Sequence, residues 1–195
     1  MSFLSNLISG LSLGSIYALI ALGYTMVYGI AKMLNFAHGD VIMVGAFTVI
    51  VAVNSMGLPA VLGIILSVLV CVVMGVTIER IAYKPLRSSP PLSVLITAIG
   101  VSYFLQSLAL LIFGSTQKSF PKVFNMAPVH FGELTIKGES IETLVVTTVI
   151  MIGLTLFINK TKMGKAMRAV SEDREAAELM GISVNRTITV TFAIG

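Results

Sequence analysis

Two stretches of this chain, Pro59–Ile78 and Leu92–Phe113, contain no charged residue. Each is about as long as a helix must be to cross the hydrocarbon core of a bilayer, roughly 20 residues. Three further apolar runs lie within Leu4–Ala31, Val41–Val53 and Thr143–Ile158, and the chain turns apolar again from Thr187. The pattern predicts an all-α integral membrane protein, a polytopic bundle of about five full membrane segments plus the start of a sixth. Composition agrees: 11% of residues are charged, against about 25% in a soluble domain. The last apolar segment stops at Gly195, short of a full span, so a single transmembrane domain over 1–195, incomplete at its C-terminus, is expected.

The net charge of +4 points to nucleic acid only until the charges are placed. With the 160–186 segment on the cytoplasmic side, threading back through the runs makes 114–142 external, 79–91 cytoplasmic, 54–58 external, 31–40 cytoplasmic and the N-terminus external. The cytoplasmic side then holds ten of the thirteen basic residues; only Lys118, Lys122 and Lys137 are external. That is the positive-inside bias, and it implies no nucleic-acid partner. MSFLSNLISG has no basic n-region and the following run is too long for a signal peptide. The single cysteine, Cys71, can form no internal disulfide and has no metal-ligand spacing around it; it reads as a small apolar side chain. No metal and no cofactor is expected.

Smaller features follow from the same reading. SSPPL (88–92) suits a helix start, where proline's missing N–H costs nothing. FGELTIKGESI (131–141) alternates weakly and suits a small hairpin in the external segment. Gly10, Gly14 and Ala18 recur at four-residue spacing, which lets two helices approach closely in lipid. Ser93, Thr97, Gly100, Tyr103 and Ser107 fall on one helical stripe: a packing face, or the polar wall of a translocation path. Gly10-Leu-Ser-Leu-Gly14 matches the G-x-S-x-G nucleophile elbow, but the elbow needs a strand and a sharp turn before its helix, and here it lies inside an apolar run. The small-residue packing motif explains the same letters.

NFAHGD (35–40) is the odd stretch. The run before it has 28 residues (4–31) and the run after it has 13 (41–53). Two crossings need about 40 in total, so the sum fits but the partition does not. Helix 2 is expected to start inside the hydrocarbon layer, with the connection dipping in behind it. Backbone of that kind is tolerated only where protein or a water-filled cavity surrounds it. Asp40 suits the N-cap of helix 2; Asn35 and Gly39 suit a tight turn; His38 has Asp40 or backbone as partners. These residues either build and cap a turn or line a pathway.

The densest polar stretch is 159–186. Ser171 suits an N-cap, with Glu172, Asp173 and Glu175 in the first turn, where the helix dipole favours anions; Gly181 suits the C′ position. A short capped helix, 171–181, is expected between two spans, with Ala176 and Ala177 as a thin wall. EAA…G (Glu175, Ala176, Ala177, Gly181), following GKAMRA (164–169), resembles the cytoplasmic coupling motif of ABC importer permeases. LNFAHGDVIMVGAF (34–47), preceded by ALGYTMVYGI, resembles the permease subunits of branched-chain amino acid (Liv-type) importers. The distal part of the coupling motif departs from the common pattern, with Ser183-Val184-Asn185 and no proline after the glycine.

The resemblance implies a transport subunit rather than an enzyme, moving branched-chain amino acids by ATP-driven alternating access. It implies a second homologous permease, two cytoplasmic ATP-binding subunits and an external solute-binding protein as partners, in the inner or plasma membrane of a bacterial-type cell. It implies ATPase coupling through Arg168, Glu175, Ala176, Ala177 and Gly181; the residues themselves give Asn35, His38, Asp40, Thr97 and Ser107 a pathway or turn role. The chain carries no P-loop of its own. Permeases for urea or short amides are similar in these segments. An ion-coupled secondary transporter is the other class, but such proteins place ionisable residues within spans, and runs 1, 3, 4 and 5 have none in their cores.

Overall fold

The computed structural model describes residues 2–121, 129–131 and 134–195. Among them, five helices are long and apolar enough to cross a membrane, as the run lengths predict. α1 is Ser2–Ala31. α2 is His38–Ile50 and continues as a π-helical turn through Val51–Ser55. α3 is Ala60–Ile78, prolonged by a π-helical Glu79–Tyr83 and a 3-10 turn at Lys84–Leu86. α4 is Pro91–Phe113, with Pro91 in its first turn as the SSPPL stretch predicts. α5 is Gly138–Lys160, α6 Lys162–Glu172, α7 Arg174–Leu179 and α8 Val184–Ile194. β1 (Val129–Phe131) and β2 (Leu134–Ile136) pair antiparallel, Val129 opposite Ile136, so the expected hairpin forms and begins slightly earlier.

Three boundaries differ from the sequence reading for physical reasons. α3 does not stop at Ile78, because the charge that follows is neutralised in place: Glu79 is fully buried and paired with Arg87. α5 starts at Gly138 rather than Thr143, since its polar first turn is not required to be apolar in order to be helical. α2 starts at His38 rather than Val41.

Between helices in lipid there is little hydrophobic driving force, so association rests on close packing and hydrogen bonds. α2 and α3 make the densest pairing, and hydrogen bonds reinforce it: Ser67 Oγ donates to the Gly45 carbonyl at 2.8 Å, and Cys71 Sγ to the Val41 carbonyl at 3.6 Å. α8 lies against α1 and α3. Where it crosses α3, a Cβ on Gly75 would collide with the Phe192 carbonyl. Phe192 in turn tilts against Tyr83, ring centroids 5.3 Å apart, in a core shared with Val27, Ala98 and Ile188.

The glycines sequence spacing singled out are not where the backbones touch. Gly10, Gly14 and Ala18 lie on an exposed face of α1, and among the described residues nothing comes within 4 Å of a Cβ built on either glycine. The stripe on α4 is likewise turned outward. Gly100, Tyr103 and Ser107 are exposed and Ser93 and Thr97 half-buried, while Val94, Ala98, Leu105 and Ala109 face the bundle.

Gly75→Val should lower the thermal stability of the protein by roughly 1–3 kcal/mol, the cost of overpacking. Gly100→Ala, on the open face of α4, should leave it unchanged. Scanning fluorimetry of the two variants side by side checks both.

Candidate functional site

α1 ends at Lys32, a non-glycine residue with φ +53, whose N–H reaches the Tyr28 carbonyl at 2.8 Å. The chain then turns into the bundle instead of running over its surface. Ala31 and Ala37 are fully buried, and Met33 and Asn35 nearly so. Irregular backbone in that position must be satisfied by protein, and it is. The Tyr83 hydroxyl, from the end of α3, lies 3.1 Å from Asn35 Oδ1 and 3.3 Å from the Leu34 carbonyl. The His38 N–H donates to the Asn35 carbonyl at 3.3 Å. Arg174 of α7 donates to the carbonyls of Ala31 and Ile30.

The depth of this break can be read from its neighbours. The Val41 carbonyl meets Cys71, and Asp40 meets Ser102. Cys71 and Ser102 each lie 11 residues into their helices, or about 16 Å at the α-helical rise. α2 therefore begins about halfway along α3 and α4, as the uneven 28/13 partition predicts.

Asn35 does open a turn, its carbonyl accepting from the His38 N–H, but the roles expected of Asp40 and Gly39 are corrected. Asp40 is not a cap: α2 begins two residues earlier, its N-cap position is Ala37, and no side chain caps it. Asp40 is instead nearly buried, and its carboxylate accepts from Ser102 Oγ at 2.5 Å and Gln106 Nε2 at 3.0 Å. A carboxylate out of water is tolerable only when hydrogen-bonded in this way. Gly39 is helical rather than part of a turn. His38 turns away from Asp40 and sits edge-on to Tyr24, centroids 6.1 Å apart, against Gly23. Ser102 and Gln106 escaped the sequence reading. Their signal is a hydroxyl and an amide at i, i+4 in a span without charged residues.

Two cavities flank His38. One, of about 770 Å³, lies between α1, α2, α5 and α8, with Ile20, Ile42, Ile150 and Phe157 among its walls and Thr147 and His38 as polar groups. The other, of about 260 Å³, lies between α2, α3 and α8 and also takes in Asn35, Ser67 and Cys71. Asn35 and His38 thus meet at one cavity. Asp40, Thr97 and Ser107 line neither: Asp40 faces α4, and the other two lie on its outer side. Among the described residues, no three His, Cys, Asp or Glu side chains gather as a metal site.

At one end of the bundle the polar 160–186 segment forms a helical hairpin. Thr161 caps α6 by accepting from the Gly164 N–H at 3.0 Å. α6 turns Met167 and Val170 inward and leaves Lys165 and Arg168 exposed. Ser171 is not the cap of the next helix; it lies within α6 and donates to the Arg168 carbonyl. Asp173 takes that role, its carboxylate accepting from the Ala176 N–H at 3.0 Å. α7 closes at Gly181 (φ +82), with Gly181 N–H to Glu178 and Ile182 N–H to Ala177, the double bond of a Schellman end. Ala177 is buried against Met26, Ile30, Met167 and Val170, so it packs on its own chain. Glu175 and Ala176 face outward, and Leu179 and Met180 are 88% and 82% exposed.

Two polar ties bind this hairpin to the spans. The first is Arg174 on the last carbonyls of α1; burial, and then the nearby Arg87, lower its pKa below the ordinary guanidinium value. The second is centred on Glu79, which accepts from Arg87 and, at 2.8 Å, from Thr189 Oγ1, while Arg87 also donates to Asn185. It joins the end of α3 to α8.

The family described as the permease component of branched-chain amino acid transport systems matches residues 6–195. The chain is 44% identical to the high-affinity branched-chain amino acid transport system permease protein BraD of Pseudomonas aeruginosa, over 99% of this chain and 67% of BraD. It is 43% identical to the corresponding protein LivH of Escherichia coli over the same shares. A probable branched-chain amino acid transport permease protein LivH of Methanocaldococcus jannaschii is 31% identical over 89% of this chain and 56% of its own. No solved structure matches the chain.

Asp40→Leu should cost about 2–4 kcal/mol, because it deprives Ser102 and Gln106 of their acceptor within an apolar span. Asp40→Asn should cost less than half as much. A double-mutant cycle with Ser102→Ala, read by denaturation of the detergent-purified transporter, should give a coupling above about 1 kcal/mol; additivity would mean that the contact carries no energy.

Proposed function

Because the chain belongs to the family of branched-chain amino acid transport permeases, we propose that it moves leucine-, isoleucine- and valine-type solutes into the cytoplasm as the membrane subunit of an ABC importer. It would work with a second homologous permease, two cytoplasmic ATP-binding subunits and an external solute-binding protein, in the inner or plasma membrane of a bacterial-type cell. The N-terminus would be external and 160–186 cytoplasmic. Lys32, Arg87 and Arg174, from three segments that the charge count assigns to one side, do gather at one end of the bundle.

The observation that carries the reading is α7. A six-residue helix capped at both ends, yet exposing Leu179 and Met180 outside the spans, is an apolar knob awaiting a groove. Its own chain grips the opposite side through Ala177 and Arg174. Closure of the ATPase dimer would displace α7. Arg174 would pass that displacement to the end of α1 and so to the break at 32–37, whose far end is His38. Glu175 and Arg168, exposed on the same hairpin, would pair with charges of the ATPase. The mostly aliphatic walls beside His38 suit a branched aliphatic side chain better than urea or a short amide.

Reconstituted with its partner subunits, the transporter should take up labelled leucine only with ATP on the ATPase side. Leu179→Asp combined with Met180→Asp should cut uptake and solute-stimulated hydrolysis together by tenfold or more, with insertion and melting temperature unchanged. Uptake on an ion gradient without ATP would overturn the proposal. Normal coupling in the double variant would remove α7 from it.

A further inference from the structure

We propose that the cleft where α1, α3 and α4 end together binds a phosphate-type anion, and that its occupant is the phosphodiester of an anionic phospholipid. The cleft encloses about 420 Å³ and is lined by Lys32, Arg87 and Arg174 together with Tyr28, Ser89 and Leu95. Three cations from three separate segments converge there. Arg87 is the one whose charge is matched, by Glu79. Arg174 is held by the neutral carbonyls of Ile30 and Ala31, so those contacts position its charge without cancelling it. Burial, and then the charge of Arg87 nearby, disfavour the protonated form of Arg174, and an anion beside it would relieve that repulsion.

Hydrogen-bonding capacity points the same way. Arg87 commits one N–H of each terminal nitrogen to Asn185 and Glu79, which leaves a second on each, and its Nε–H is buried with no acceptor among the described residues. A buried donor on a charged group left unpaired is costly. A tetrahedral phosphate offers several acceptor oxygens at once and matches the planar fork of arginine, while Lys32, exposed at the rim, adds a point charge. Position favours a lipid over a free anion. The cleft opens where α1 stops and α4 starts, at the limit of the apolar spans. One wall is apolar (Met33, Leu34, Val94), and basic pockets between membrane helices at that level hold lipid headgroups.

Native mass spectrometry of the complete transporter, released from bilayers of mixed phosphatidylglycerol and phosphatidylcholine, tests this. The wild type should retain phosphatidylglycerol in preference, and Lys32→Gln should weaken that preference about fivefold, the effect of one basic group at such a surface. Lys32 is exposed, so this variant keeps its fold; Arg87→Lys, which retains charge but loses the planar fork of donors, should act in the same direction. Excess inorganic phosphate should not displace the lipid. Displacement by phosphate, with stabilisation of the transporter by phosphate alone in pure phosphatidylcholine, would keep the anion site but make a soluble phosphate its occupant. Equal retention of the two lipids, or a preference unchanged in both variants, would overturn the proposal.

Discussion

An irregular stretch of backbone, residues 32–37, sits inside a bundle built to lie in lipid, and its carbonyls cannot be left to water. That requirement organises the surrounding side chains. Tyr83 is driven to full burial because its hydroxyl is needed at Leu34 and Asn35. α3 must stay helical past its apolar run to put Tyr83 there, which brings Glu79 into the protein and makes Arg87 obligatory as its counter-ion. Arg174 must reach the last carbonyls of α1 from another part of the chain. Each of these groups answers a need created by the break, and each would be an uncompensated polar group without it.

The same constraint links the membrane interior to the exposed hairpin. A straight α1 running into a surface loop would satisfy its end carbonyls with water and owe nothing to α7. Because α1 ends in protein, its carbonyls take their donor from α7, and α7 is held by Arg174 on one side and by the packing of Ala177 on the other. The Glu79 cluster ties α8, which continues directly from that hairpin, to the end of α3. Under the proposed function these two ties are the mechanical path between ATPase and cavity. Each consists of charge-assisted bonds of fixed geometry, so it can carry displacement as well as stability.

The spans were legible in the sequence because bilayer thickness sets helix length, and the burial of the break was legible because two lengths had to share one total. Gly181 could be read from conformation alone, since a helix that stops and reverses favours a residue able to take φ +82. The errors came where a tertiary partner outweighed a local rule. Asp40 before an apolar run obeys the capping pattern, but Ser102 and Gln106, 62 and 66 residues away, offered it more. Ser171 and Asp173 both satisfy cap chemistry; the packing of Met167 and Val170 prolonged α6 through Ser171 and left Asp173 at the junction. Gly10 and Gly14 match a spacing rule, yet spacing does not say which neighbour arrives, and among the described residues none does.

Asp40 also bears on how such a bundle is powered. An ionisable group within a span is usually a sign of ion coupling, and the sequence reading took the lack of such groups in four of the runs as evidence against it. The structure has a carboxylate in α2, but its environment is that of a fixture. Its two oxygens are each engaged by a donor from one neighbouring helix, and it lines neither of the cavities beside His38. A carboxylate that carries protons or cations must alternate between a solvated and a desolvated state, which requires access to a water-filled route. One held at both oxygens by α4 is a fixture of the packing. It ties the inner end of α2 to α4, and under the proposed function the energy for movement enters at the end of the bundle where α7 stands exposed.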